Sequence, residues 1–214
     1  MLRKVSILIL LVVLGLSAKL WVNAIRDPGA ELGAGDWETD IYEWPTGAAD
    51  SARVDAHDSS RAYEGKYSFL TDTDKDPGVN NADCDVWCCQ YLRVPKAVRD
   101  IDSCFWQVYL NESNSANMWK FAYHLRSEDK QISWFEGQGT GGINDTAYSK
   151  KLPLPDSGVW TGYGVDLYNT WVNTIGWSSL DTIVRVALYS SAWEDMGWLG
   201  QEVSWDNIVL RSIA

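Results

Sequence analysis

The stretch VSWDNIVL, residues 203–210, decides how this chain is read. Apolar β-branched and aromatic residues alternate along it, the mark of a half-buried strand. Asp206 and Asn207 interrupt its middle. A carboxylate in such a strand either faces solvent from a sheet edge or holds something, and a metal ion is the natural candidate.

Outward from this stretch the same grammar repeats. Past the N-terminus no long segment carries a helical period. Runs of five to nine residues recur, separated by Gly, Pro, Asn, Asp and Ser clusters, the pattern of an all-β sandwich or barrel. Strands are expected at 67–71, 88–94, 104–110, 118–126, 131–136, 160–167, 182–190 and 202–211. Residues 127–130 (SEDK) read as a hairpin turn, 72–83 and 137–149 as long polar loops, and 178–180 as a minor helical turn.

Alternation also assigns faces. Trp106, Val108 and Leu110 oppose Phe105, Gln107 and Tyr109; Trp119, Phe121, Tyr123 and Leu125 oppose Lys120, His124 and Arg126; Val184, Val186 and Leu188 oppose Arg185 and Tyr189. If these strands share one sheet, their second face is a polar, partly aromatic surface suited to a hydroxyl-rich ligand. The plain alternative is the ordinary polar outside of a sheet.

Composition narrows the classes. The chain of 214 residues is long enough for one domain with a substantial core, and its thirteen Trp and ten Tyr favour an aromatic core or an aromatic ligand platform. A net charge of −11, with no run of Lys and Arg, excludes nucleic acid as partner.

The first 24 residues read as an export signal or membrane anchor, and 25–214 as the folded domain. Arg3 and Lys4 precede an apolar run over 5–16, and Val22-Asn23-Ala24 offers small residues for a signal peptidase. An uncleaved anchor, with Lys19 snorkelling and Trp21 at the interface, is the rival reading. Either places the domain outside the cytoplasm, secreted or at the cell surface. Four cysteines, Cys84, Cys88, Cys89 and Cys104, then favour two disulfides over a zinc site, because adjacent Cys88 and Cys89 lack the usual paired knuckles. Three pairings exist; the favoured ones join Cys84 and Cys104 each to one of the adjacent pair. Asn111 and Asn144 stand in glycosylation sequons.

Four motifs, in order, carry a resemblance. Asp27-Pro28-Gly29-Ala30-Glu31 with Asp36-Trp37, then 61–69 (RAYEGKYSF), 159–167 (VWTGYGVDL) and 203–210 resemble the opening, "S-G-x-Y-S-L", "W-x-x-y-x-v-d-L" and closing "v-x-f-D-D-V-x-L" segments of carbohydrate-binding modules. The implied fold is the two-sheet antiparallel β-jelly roll of the galactose-binding-like class. Ala30 stands where such modules have phenylalanine, and the cysteine-bearing insertion 72–104 is unusual. The resemblance implies a structural Ca²⁺ held by Glu31, Lys66 through its backbone, and Asp206, tying the first strand to the last. The run Asp72, Asp74, Asp76 is a second place that could meet calcium, but lacks the glycine and distal glutamate of an EF-hand loop.

Two functions of different class follow. One is a secreted, non-catalytic carbohydrate-binding protein. Gln107, Tyr109, Lys120, His124, Arg185 and Tyr189 would form its binding sheet, and Trp193 and Trp198 its rim. The basic character of that face points to an acidic polysaccharide. The other is a calcium-dependent structural subunit that polymerises when segment 19–28 adds as a strand to a neighbouring copy. An enzyme is not expected: there are two histidines, His57 and His124, and no hydrolase or zinc-protease motif. Glu128-Asp129, Glu136 and Glu194-Asp195 could supply a glycosidase pair, but nothing fixes their separation.

Overall fold

In a computed structural model the described residues are 20–44, 52–75, 82–113, 119–138, 147–194 and 199–214. Among the described residues, twelve strands form two six-stranded sheets. The first sheet contains β1 (Trp21–Asn23), β3 (Arg53–Asp58), β4 (Ser68–Lys75), β6 (Ile101–Ser113), β10 (Trp160–Val165) and β12 (Leu199–Ile213). The second contains β2 (Glu38–Trp44), β5 (Ala82–Ala97), β7 (Trp119–Arg126), β8 (Gln131–Gln138), β9 (Ala147–Lys151) and β11 (Thr182–Glu194). The first runs β10-β6-β12-β4-β3 with β1 on β12; the second runs β2-β5-β11-β7-β8-β9. All pairs are antiparallel except β8 with β9. This is the expected all-β jelly-roll sandwich.

All eight expected strands are present, and four more, β1, β2, β3 and β9, join them. Two expected polar loops are partly strand: Asp72–Lys75 complete β4, and Gly137, Gln138 and 147–149 belong to β8 and β9. The hairpin turn is as read, with Ser127 N donating to Lys130 O at 2.9 Å. A turn closes at 178–181, and a π-helical turn, Asn169–Thr174, precedes it.

The inner faces meet over aromatic rings. Trp106 of β6 stacks on Tyr123 of β7 across the sandwich, centroids 4.5 Å apart and planes 7° apart, and Trp134 packs beside both. Trp205 meets Phe121 edge-on, and its indole N–H donates to Thr71 Oγ1 at 2.8 Å. Thr71 in turn shares a hydrogen bond with Ser190 of the opposite sheet. Each buried indole contributes about 4–6 kcal/mol of gross hydrophobic stabilisation.

The closing strand departs from strict alternation. Val203 and Trp205 face the core, but so do Ile208 and Leu210. A β-bulge against β6 between Asp206 and Val209 resets the parity, with Asn207 at φ 48° in the left-handed region, where Asn is better tolerated than most residues. β4 pairs with the first half of β12 as far as Trp205, and β1 with its end from Arg211. Segment 23–28 closes the gap: Ala24 N donates to Leu210 O, and Ile208 N to Pro28 O.

Two expectations are corrected here. The cysteines are buried thiols, and no disulfide joins them. Cys84 lies four residues from Cys88 and five from Cys89 on the same strand. At about 3.4 Å per residue those separations exceed 13 Å, twice what a disulfide spans. The strand-addition segment is also used within the chain: Trp21, Val22 and Asn23 pair with Ile213, Ser212 and Arg211.

Candidate functional site

The outer face of the second sheet carries a groove built from three cross-strand rows. Register places Trp87, Tyr189 and Ala122 in one row on β5, β11 and β7. The next row is Cys89, Ala187, His124 and Ser133; the third is Tyr91, Arg185, Arg126 and Gln131. A small residue at the centre, Ala187, leaves a floor between larger walls. The resulting pocket, about 200 Å³, is lined by Trp87, His124, Arg126, Gln131, Arg185, Ala187 and Tyr189.

Hydrogen bonds fix these side chains. Tyr189 donates its hydroxyl to Asp85 Oδ1 at 2.7 Å, and its ring meets the His124 imidazole edge-on at 5.1 Å. Gln131 Nε2 donates to His124 Nδ1 at 2.9 Å, with Ser133 Oγ 3.3 Å from the same nitrogen. This network assigns the imidazole proton to Nε2. The Arg185 guanidinium lies 5.7 Å from the Tyr91 ring centroid, and Arg185 stands beside Cys89. Burial pushes the Cys89 thiol above its ordinary value, against the pull of Arg185.

The expected binding residues divide between two sheets. His124, Arg185 and Tyr189 converge in the groove; Lys120 belongs to the same sheet, opposite Ser191 in the register. Gln107 and Tyr109 do not join them. They sit on β6 of the other sheet, where Gln107 lies over Gly162 and Tyr109 packs near Trp160 and Arg61. The alternation of β6, β7 and β11 was correctly read, but it says nothing about which sheet a strand enters. Trp193 is the penultimate residue of β11, paired with Asp83, and Trp198 lies outside the described residues. Trp87, Arg126 and Gln131 were not expected. The hairpin turn at 127–130 places Arg126 opposite Gln131, and the alternation of Cys84, Val86 and Cys88 with Asp85, Trp87 and Cys89 marks Trp87 as outward-facing.

Glu31, Lys66 and Asp206 do meet, at the gap in β12. Asp206, 1% exposed, accepts from the amides of Tyr63 at 2.7 Å, Glu64 at 3.0 Å and Asn207 at 2.6 Å. Glu31 Oε1 accepts from the amides of Lys66 at 2.6 Å and Tyr67 at 2.9 Å. It is the amide of Lys66 that makes this contact. Burial, the largest influence, pushes the Asp206 carboxyl above its ordinary range; the three amides pull it back, and the charge of Glu31 adds to the rise. The loops come close enough only through glycine. A Cβ at Gly29 would stand 2.9 Å from Asp206 Oδ1, and one at Gly65, φ 72°, would overlap Glu31.

No family model matches the chain, and no curated protein matches it in sequence. Solved structures do match. The catalytic domain of Humicola grisea Cel12A, with a thio cellotetraose, superposes at a TM-score of 0.52 and 12% identity, over 84% of this chain and 93% of that one. The family 11 carbohydrate-binding module of Clostridium thermocellum, with a β-1,3-1,4-mixed-linked tetrasaccharide, gives 0.47 and 11%, over 92% and 98%. The Endo-D glycoside hydrolase domain of Streptococcus pneumoniae R6 gives 0.42 and 15%, over 80% of this chain but 22% of that one, so the chain spans about a fifth of that protein. At these identities the likeness is one of fold alone, a two-sheet jelly roll.

Proposed function

We propose that this is a non-catalytic polysaccharide-binding jelly roll that works outside the cytoplasm, with the groove of the second sheet as its binding site. The observation that carries the reading is the lining itself. Trp87 and Tyr189 give stacking surface for a sugar ring, and Gln131, His124 and the arginines give hydrogen bonds for its hydroxyls. Two guanidiniums on a chain of net charge −11 favour an acidic polysaccharide. The basic and apolar start of the sequence supports export.

Glycan-array binding by the wild type and by Trp87→Ala and Tyr189→Ala tests the proposal. Loss of binding in both variants, with unchanged unfolding temperatures, is expected. Undiminished binding would move the site off this groove.

Calcium is the proposed occupant of the gap in β12. The surrounding pocket, about 380 Å³, is lined by the carboxylate residues Asp27, Glu31, Glu64 and Asp206, a hard-oxygen donor set that suits the ion. Among the described residues no three acidic, histidine or cysteine side chains form a metal-holding group, so backbone oxygens would have to complete the shell. The ion would supply positive charge between Glu31 and Asp206. A rise in unfolding temperature with calcium, reversed by chelator and absent in Asp206→Asn, is the expected result; no rise would leave the gap held by amides alone.

A further inference from the structure

Arg126 and Arg185 are directly opposite each other on β7 and β11. Like charges in that position repel, and a sheet does not gain from holding them there unaided. Neither guanidinium has a carboxylate partner among the described residues. Arg126 is exposed, whereas Arg185 has its Nε–H buried with no acceptor. A buried donor without an acceptor is costly, and the cost falls when an anion supplies one. Arg185 also lies over the face of Tyr91, which restricts it, so less side-chain freedom is lost on binding. Trp87, Tyr189 and His124 line the same pocket, whose 200 Å³ is small for an extended ligand.

We infer that Arg126 and Arg185 form a clamp for the carboxylate of one uronic acid residue, and that this pair makes the groove selective for polyuronates. The inference rests on the groove being the polysaccharide site. The planar fork of each guanidinium matches the two coplanar oxygens of a carboxylate, and the sugar ring of that residue would lie against Trp87 and Tyr189. Lysine at either position would keep the charge and lose the fork. The charge of the pair sets attraction; its geometry sets the choice of acid.

The test is isothermal titration of the full chain with polygalacturonate and alginate, with fully methyl-esterified polygalacturonate, with dextran sulfate and with a neutral mixed-linkage glucan. At least one polyuronate is expected to bind. Arg185→Lys and Arg126→Lys should each weaken it about tenfold or more, with unchanged unfolding temperatures. Esterification should have an effect of the same size. If the neutral glucan binds as tightly and esterification changes nothing, while Trp87→Ala abolishes binding, the groove stands and the clamp falls. If dextran sulfate binds as tightly as the polyuronates and both lysine variants retain affinity, the pair is a general anion site and the carboxylate assignment is overturned. If no polysaccharide binds, or Trp87→Ala has no effect, the groove reading fails and takes the clamp with it.

Discussion

The side chain of Asn23 caps the stretch of β12 left between its pairing with β4 and its pairing with β1. Its Oδ1 accepts from Leu210 N at 2.9 Å, and its Nδ2 donates to Ile208 O at 3.0 Å, the two bonds flanking Val209. Replacing Asn23 with Ala would leave both backbone groups without these partners, at a cost of about 1–3 kcal/mol. A chain starting at Ile25 would also lose β1. Denaturant unfolding of 20–214 against 25–214 should show the shorter chain less stable, and Asn23→Ala in between; equal midpoints would make β1 an ornament of the fold.

Asn207 sits at φ 48° in the bulge. Asn207→Gly should be tolerated, because glycine visits this conformation without strain. Asn207→Val should cost about 2 kcal/mol or more. The two unfolding midpoints, compared with wild type, check the left-handed conformation directly.

Asp181 accepts from Trp171 Nε1 at 2.9 Å and from Lys130 Nζ at 3.0 Å. Burial alone would raise its pKa; these donors, with the charge of Lys130 and the amide of Ser178, outweigh burial and lower it. A carboxyl lowered in the folded state contributes stability that is fully present above its unfolded pKa, about 3.9, and is lost as pH falls through the folded value. Asp181→Asn should therefore lower stability at pH 7 and flatten the loss of stability below about pH 4. Parallel wild-type and variant curves over that range would refute the assignment.

Thiol titration checks the cysteines. All four are buried, and burial raises the pKa values of Cys88, Cys89 and Cys104. A thiol reagent should react slowly with the folded protein and count four thiols in denaturant. Reductant should leave the unfolding midpoint unchanged; a lowered midpoint would reveal a disulfide.

The strands, and the sides they present, were legible because burial enforces alternation: Trp106, Tyr123 and Leu188 all face the core as read. Sheet membership was not, because β6 and β7 follow one another in sequence, separated only by residues 114–118, yet enter different sheets. That one ambiguity split the expected site and left Gln107 and Tyr109 on the other sheet. β2 and β3 were missed because their alternate residues are largely polar: Glu38, Asp40, Asp55 and Asp58 break the apolar pattern. The closing strand shows the opposite case. Asp206 and Asn207 were visible as an interruption, but only the paired strand shows the interruption to be a bulge that turns Ile208 inward.

Tyr123 and His124 are consecutive on β7, one facing the core and the other the groove. The first is stacked on Trp106 and the second stands at the proposed binding surface. A single peptide unit thus joins the recognition face to a rigid, asymmetric pair of chromophores. Occupation of the groove that shifts β7 by even a fraction of an ångström would alter the electronic coupling of those rings. Such a shift would be readable by near-ultraviolet circular dichroism without any label.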